Sequence, residues 1–102
     1  MAKRSEVHIK LERKESTNIS QDNKPGLPNV HVFYDTDTKL LEIYDDEDSS
    51  GEVMVYDLMG RKLVSSSQLN VILQLNINLS DSTIGVICLE GEEWHGEGLF
   101  EI

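Results

Sequence analysis

The stretch that decides the fold is Leu69-Asn-Val-Ile-Leu-Gln-Leu-Asn-Ile-Asn-Leu79. An apolar residue occupies every second position, and the residues between are mostly Gln and Asn. A helix would spread such a series around its whole circumference, whereas a β-strand places every second side chain on one face. The pattern therefore predicts a long strand over 69–79 whose apolar face covers a hydrophobic core.

The same period of two recurs on either side of this stretch. Val7, Ile9 and Leu11 alternate with polar residues and predict a first strand with one solvent-facing side. Asp57 and Gly60 stand at the first and fourth positions that a type I turn prefers. Runs rich in strand formers and bounded by turn residues predict further strands at 30–34, 39–44, 52–57, 61–64, 84–89 and 94–102.

Seven to eight short strands with no helical stretch predict an all-β protein. Regular turn signals between such strands are typical of an immunoglobulin-like (fibronectin III-like) two-sheet antiparallel β-sandwich. The segment 84–89 is apolar on both faces, as expected of a central strand. The stretch 14–28 is polar and holds both prolines, so we interpret it as a long crossover or linker. With 102 residues, the chain fits a single domain over 1–102.

The charge is unevenly distributed along the chain. Residues 1–30 carry six basic and four acidic side chains, whereas 31–102 carry three basic and fifteen acidic ones, which together give the net charge of −10. An acidic body repels phosphate backbones and anionic membrane surfaces, so nucleic acid is excluded as a partner. No run approaches the roughly 20 apolar residues that a membrane span requires, and no membrane span is predicted.

Two segments carry a resemblance to a known family. The run Val53-Met-Val-Tyr-Asp-Leu-Met-Gly-Arg-Lys-Leu63 and the ending Trp94-His-Gly-Glu-Gly-Leu-Phe-Glu-Ile102 resemble small secreted Bacteroidetes Ig-like domains of unknown function. A more distant likeness links the first of these runs to Bacteroidetes carboxy-terminal secretion-sorting domains, although Gly85 is not followed by the usual Tyr. The resemblance implies an Ig-like fold and a secreted, periplasmic or cell-surface location, and we expect the signal peptide of such a protein to lie outside this sequence. It implies no catalytic residues.

Residue types that often carry chemistry are present but scattered. Cys88 is the single cysteine, lies among apolar residues and is interpreted as a small buried hydrophobe. The acidic loop 45–52 could hold calcium, but it lacks the residue order of an EF-hand and is interpreted as a solvated connection. His8, His31 and His95 show no metal-binding spacing. We predict no metal, no cofactor and no catalytic residue.

The aromatic residues are the candidate ligand-binding residues. Exposed aromatic rings on a sandwich could stack against sugars, because a flat apolar face suits a sugar ring. The alternative interpretation is that the rings close the ends of the core. The candidates are Trp94, Tyr34, Tyr44 and Tyr56.

The sequence thus predicts a non-enzymatic secreted or cell-envelope module that acts as a protein-interaction or structural unit. The alternative is a small carbohydrate-binding module that uses exposed aromatics. The partner would then be a protein or a glycan, and unpaired edge strands would also allow homo-oligomers. An enzyme would require carboxylates such as Asp57 and Glu90 to share one cleft, which no motif supports.

Overall fold

A computed structural model describes residues 4–14, 27–47, 50–75 and 84–102 of the chain. Within these ranges there is no helix, and the strands form two antiparallel sheets that pack as a sandwich. The strands are β1 (Arg4–Val7), β2 (Lys10–Arg13), β3 (Val30–Asp35), β4 (Leu40–Asp45), β5 (Gly51–Asp57), β6 (Lys62–Ser66), β7 (Val71–Gln74), β8 (Ile84–Gly91) and β9 (Trp94–Glu101).

The strand order confirms the predicted immunoglobulin-like sandwich. The four-stranded sheet has the order β1-β3-β4-β7, and the five-stranded sheet has the order β2-β9-β8-β5-β6. Strands β3, β4 and β7 therefore face β6, β5, β8 and β9, which is the three-on-four arrangement of a fibronectin III-like domain. The segment before residue 15 adds one edge strand to each sheet.

One hydrophobic core lies between the sheets and is filled by every second residue of the strands. In β8 the burial alternates strictly along the strand, and Ile87 and Leu89 are fully buried. Val53 and Val55 of β5 are buried in the same way from the neighbouring strand. The described core residues are Val7, Val32, Tyr34, Leu41, Ile43, Val53, Val55, Leu63, Leu69, Leu75, Ile87, Leu89, Trp94 and Phe100.

The predicted first strand is in fact two strands in different sheets. Val7 ends β1 and pairs with Val32 in the four-stranded sheet, whereas Leu11 lies in β2 and pairs with Gly96 in the five-stranded sheet. Ile9, between them, packs against the core. The apolar side chains keep pointing inward while the backbone crosses between the sheets. The described residues consequently form nine strands rather than the predicted seven to eight.

Two glycines on β9 make room for this crossing. A methyl group at Gly98 would lie 2.5 Å from the carbonyl oxygen of His8, and one at Gly96 would lie 2.5 Å from Cδ2 of Leu11. Both distances are far below van der Waals contact. At Gly98 the atom belongs to the backbone, so a larger residue would push the crossing segment away, whereas at Gly96 the Leu11 side chain would have to move. The Gly-Glu-Gly of the carboxy-terminal motif therefore has a packing role.

Aspartates stabilise two of the hairpin turns. Asp35 Oδ1 accepts hydrogen bonds from the amides of Asp37 (2.8 Å) and Thr38 (3.2 Å) in the β3–β4 turn. In the β5–β6 turn the amide of Gly60 donates to the carbonyl of Asp57 at 3.0 Å, as in the predicted type I turn. Gly60 has a φ of 85°, a left-handed conformation that glycine adopts without strain.

The Asp57 side chain is the centre of the β5–β6 turn. Its Oδ1 accepts from the amides of Met59 and Arg61, both at 2.9 Å, and its Oδ2 accepts from Nε of Arg61 at 3.0 Å. The carboxylate is buried, so these bonds replace the water that it loses on folding. The Val-x-Val-x-Asp-x-x-Gly-Arg motif thus specifies two core valines and one turn.

Two predicted boundaries change. The strand over 69–79 is shorter than predicted: β7 covers only Val71–Gln74, and 76–79 lie outside the described residues. The one-sided alternation nevertheless holds, because Leu69 and Leu75 are both buried core residues. The predicted linker 14–28 also lies mostly outside the described residues, but the Lys14 amide still donates to the carbonyl of Glu93 at 3.0 Å.

We predict that Gly98→Ala destabilises the protein by about 1–3 kcal/mol, since the added methyl group must displace backbone rather than a flexible side chain. Glu97→Ala is the matched control, because the neighbouring side chain points to solvent and its loss should change stability by less than about 0.5 kcal/mol. Urea unfolding of both variants measures the difference. Equal stability of the two would show that the crossing segment does not depend on Gly98.

Candidate functional site

The acidic loop is organised by hydrogen bonds within the protein. Asp45 is buried; its Oδ1 accepts from the amide of Glu47 at 2.9 Å, and its own amide donates to Oδ1 of Asn70 at 2.7 Å. Asp46 accepts from Nδ2 of Asn29 at 2.8 Å, and residues 48–49 lie outside the described residues. Across the ranges that the structure describes, no group of three metal-ligating side chains comes together.

The three histidines are separated in space as well as in sequence. His8 is exposed between β1 and β2, His31 lies on the outer face of the four-stranded sheet, and His95 lies on the outer face of the five-stranded sheet. Nδ1 of His31 is 3.5 Å from Oε2 of Glu6, and its Nε2 is 3.7 Å from Oδ2 of Asp46. These contacts join β1, β3 and the end of β4 on one surface.

Two of the four candidate aromatic residues belong to the core. Tyr34 is 1% exposed and Trp94 is 7% exposed, so neither ring offers a face to a ligand from solution. Trp94 lies against Gly91 at the turn end of the β8–β9 hairpin. Tyr34 packs on Phe100 with 4.7 Å between ring centroids. Both rings are therefore part of the buried core.

The Tyr34 hydroxyl group is buried and has no hydrogen-bond partner among the residues that the structure describes. Burial, with a smaller contribution from the charge of Asp35, raises the pKa of Tyr34 to about 12. The phenolate would lose its hydration in this place, which is why the neutral form is favoured.

The other two candidates lie on opposite outer faces of the sandwich. Tyr44 is 39% exposed on the four-stranded sheet, whereas Tyr56 is half-buried on the five-stranded sheet and its hydroxyl donates to Sδ of Met54 at 3.2 Å. The four aromatic residues therefore do not form one platform. Any ligand that stacks on Tyr44 would contact a different surface from one that stacks on Tyr56.

Tyr44 belongs to a network of paired side chains. Its hydroxyl donates to Oε1 of Glu42 at 2.5 Å, which raises the pKa of Tyr44, and Glu42 also forms an ion pair with Arg4 at 3.1 Å. The Arg4 guanidinium lies 4.1 Å from the ring centroid of Phe33, and Phe33 meets Tyr44 edge to face. The outer face of the four-stranded sheet thus satisfies many of its own polar groups.

The outer face of the five-stranded sheet differs, because an apolar strip crosses its three inner strands. Val86 of β8 pairs directly with Leu99 of β9 on one side and with Tyr56 of β5 on the other, and Cys88 pairs with Met54. Leu99 is 66% exposed, and its neighbours are half-buried. We define the apolar strip as Met54, Tyr56, Ile84, Val86, Cys88 and Leu99.

Glutamates frame the apolar strip. Glu97 and Glu101 flank Leu99 along β9, and Glu52 stands next to Met54 along β5. In the part of the chain that the structure describes, these three carboxylates form no ion pair. Further charges on the same face are Glu12, Glu90, Lys10 and Lys62, with Lys10 3.6 Å from Glu12 and Glu90 2.8 Å from Lys14.

Cys88 is half-buried in the apolar strip rather than buried in the core, which corrects the sequence-based interpretation. It lies on the outward-facing side of β8, where neighbouring strands cover part of its side chain. Burial raises the pKa of the Cys88 thiol, and the charges of Glu97 and Glu90 raise it further. A raised pKa favours the neutral thiol over the more nucleophilic thiolate.

Sequence reasoning missed the apolar strip as a surface. The segment 84–89 is apolar on both faces, but a buried central strand explains that pattern equally well. The one further signal was Leu99, which stands between Glu97 and Glu101 at a position where the alternation of β9 requires an outward side chain.

Comparison with protein-family models, with curated proteins and with solved structures finds no match. Among the described residues, none belongs to a helix long and apolar enough to cross a membrane.

We predict that Tyr34 makes the protein less stable as the pH rises from about 10 to 12. The unfolded chain loses the tyrosine proton near pH 10, whereas the folded chain keeps it to about pH 12, so unfolding is favoured within this window and unaffected by this group below it. The substitution Tyr34→Phe removes the buried hydroxyl and with it this pH dependence of stability.

Urea unfolding of both proteins at several pH values measures this contribution. Lysine side chains also titrate in this range, but they affect the parent and the variant alike. The free energy of unfolding of the variant, relative to that of the parent, should therefore increase above about pH 10. A difference that stays constant with pH would contradict the assignment.

Proposed function

We propose that this protein is a non-enzymatic interaction module that binds another protein through the apolar strip on the outer face of its five-stranded sheet. The observation that carries the proposal is the exposure of Leu99 beside Val86 and Tyr56, which makes the apolar surface continuous across three strands. Contiguous apolar patches on small proteins commonly mark interaction sites, since water contact with them is unfavourable.

The size of the face is compatible with a specific complex. Five strands about 4.8 Å apart, with longer strands of eight residues at about 3.3 Å each, give a face of roughly 20 by 25 Å. A standard interface buries about 800 Å² of accessible surface on each partner, and side-chain relief increases the area of a flat face. The strip would form its apolar centre and the surrounding charged residues its rim.

The location of the protein is part of the same proposal. The resemblance of Val53–Leu63 and Trp94–Ile102 to small secreted Bacteroidetes domains supports a secreted, periplasmic or cell-surface location. An interaction module of the cell envelope is consistent with the acidic surface, which favours solubility and suppresses binding to anionic surfaces.

We predict that a photo-crosslinking residue at position 99 forms one discrete adduct in cells that produce the protein. The matched control is the same residue at position 72, because Ile72 is 57% exposed on the other sheet. Val86→Ser should remove the adduct at 99 by adding a hydroxyl to the strip, without affecting the fold. Adducts at both positions, or at neither, would contradict the proposal.

A carbohydrate-binding module is the second candidate, and Tyr44 is the observation that favours it. Its ring is exposed beside His31, and fixed polar groups of Glu42 and Arg4 surround it, a combination that suits a sugar ring. In this case Tyr44→Ala should abolish binding on a glycan array, whereas Tyr56→Ala should not. An array without Tyr44-dependent binding removes this candidate.

A further inference from the structure

We propose that the glutamate frame makes the apolar strip selective for a cationic protein surface and prevents two copies of this chain from pairing through it. The inference rests on the proposed function, because it names the chemistry of the partner at the same site. The partner would have an apolar centre surrounded by Lys or Arg side chains.

The charge pattern favours this occupant. Glu97 and Glu101 lie on the same strand as Leu99, so a side chain that covers Leu99 must also approach both carboxylates. Glu52 brings a third carboxylate to the β5 side. None of the three forms an ion pair among the described residues, although Lys10 lies across from Glu97 in the sheet, and their charge is therefore available to a partner. Opposite charge at the rim of an interface favours the encounter and selects the partner.

A second copy is disfavoured by the same carboxylates. A symmetric dimer places the same patch on both sides of the interface, so the frame of one copy would lie against the frame of the other. Like charges in that position are unfavourable, and the cations on this face are few: Lys10 is close to Glu12, and Lys62 lies across from Tyr56. The strip can then remain exposed in solution without causing self-association.

Binding of a cationic partner to the apolar strip also differs from backbone pairing at the edge of a sheet. The strip lies on β5, β8 and β9, and each of these strands has a neighbour on both sides in the five-stranded sheet. Their backbone groups are engaged in the sheet, so a partner must be recognised by side chains. Charge and apolar contact are the means that this face offers.

The first arm of the test measures self-association. The variant Glu52→Gln/Glu97→Gln/Glu101→Gln should associate with increasing concentration in sedimentation velocity, while the parent protein stays monomeric. Adding Leu99→Ser to the variant should restore the monomer. A control with the same change of net charge, Glu6→Gln/Asp37→Asn/Glu47→Gln, alters exposed acids away from this face and should remain monomeric.

The second arm measures the chemistry of the partner. Random twelve-residue peptides displayed on phage are selected on the parent protein, after peptides that also bind the Leu99→Ser variant have been removed. Enriched peptides should combine apolar residues with Lys or Arg. A synthetic peptide of this kind should bind about tenfold more weakly to the frame variant, and with unchanged affinity to the control variant.

The outcomes separate the inference from the proposed function. If no peptide binds in a Leu99-dependent manner, the proposed function itself fails. If Leu99-dependent peptides lack cationic residues, or bind the frame and control variants equally, the strip is a binding site but the glutamates do not select its partner. A parent protein that forms dimers sensitive to Leu99→Ser would identify a second copy as the occupant and overturn the inference.

Discussion

The alternation of side chains along each strand is the constraint on which the rest of this structure depends. A sandwich of two sheets has one core, and every strand must supply it with every second residue. In β8 this requirement fixes the inward positions of Ile87 and Leu89. The outward positions are free of that requirement, so the residues found there carry information about function rather than about folding.

The two outer faces use this freedom differently. On the four-stranded sheet, Arg4, Phe33, Glu42 and Tyr44 contact one another, so their polar groups are paired within the face. Ile72 is exposed on the same face, but it lies across from Glu42 rather than in an apolar strip. On the five-stranded sheet the apolar strip faces solvent between Glu52, Glu97 and Glu101, which form no ion pair within the described ranges. The contrast between these faces of one small domain is the reason for assigning recognition to the five-stranded sheet.

Local patterns predicted most of the fold and little of the site. The β3–β4 and β8–β9 hairpins follow from their turn residues, and the Asp57 turn follows from spacing alone. The split of the first strand could not be predicted, because Val7, Ile9 and Leu11 alternate in the same way whether one sheet or two receive them. Which sheet accepts a strand is decided by contacts distant in sequence, here with Gly96 and Gly98.

The aromatic candidates also show how far a local sequence pattern can predict the position of a side chain. Tyr34 shares the inward phase of Val32, and Trp94 shares that of Phe100, so the alternation of their strands already favoured burial over ligand binding. Tyr44 and Tyr56 have the outward phase, but only the sheet order shows that they lie on opposite sides of the molecule. A pattern within one strand shows whether a side chain points inward or outward. It does not show which residues of other strands lie next to that side chain.

The position of the apolar strip also bears on how it could bind. Its residues lie on the three inner strands of the five-stranded sheet, whose backbones are held on both sides, so a partner of the proposed kind would meet a preformed surface. A preformed surface loses less conformational entropy on binding than a loop or a free edge. The crossing of the first segment contributes to this rigidity, because Ile9 and Leu11 pack behind β9 where Gly96 and Gly98 have no side chains. The packing that completes the core on the inner side of β9 therefore supports Leu99 on its outer side.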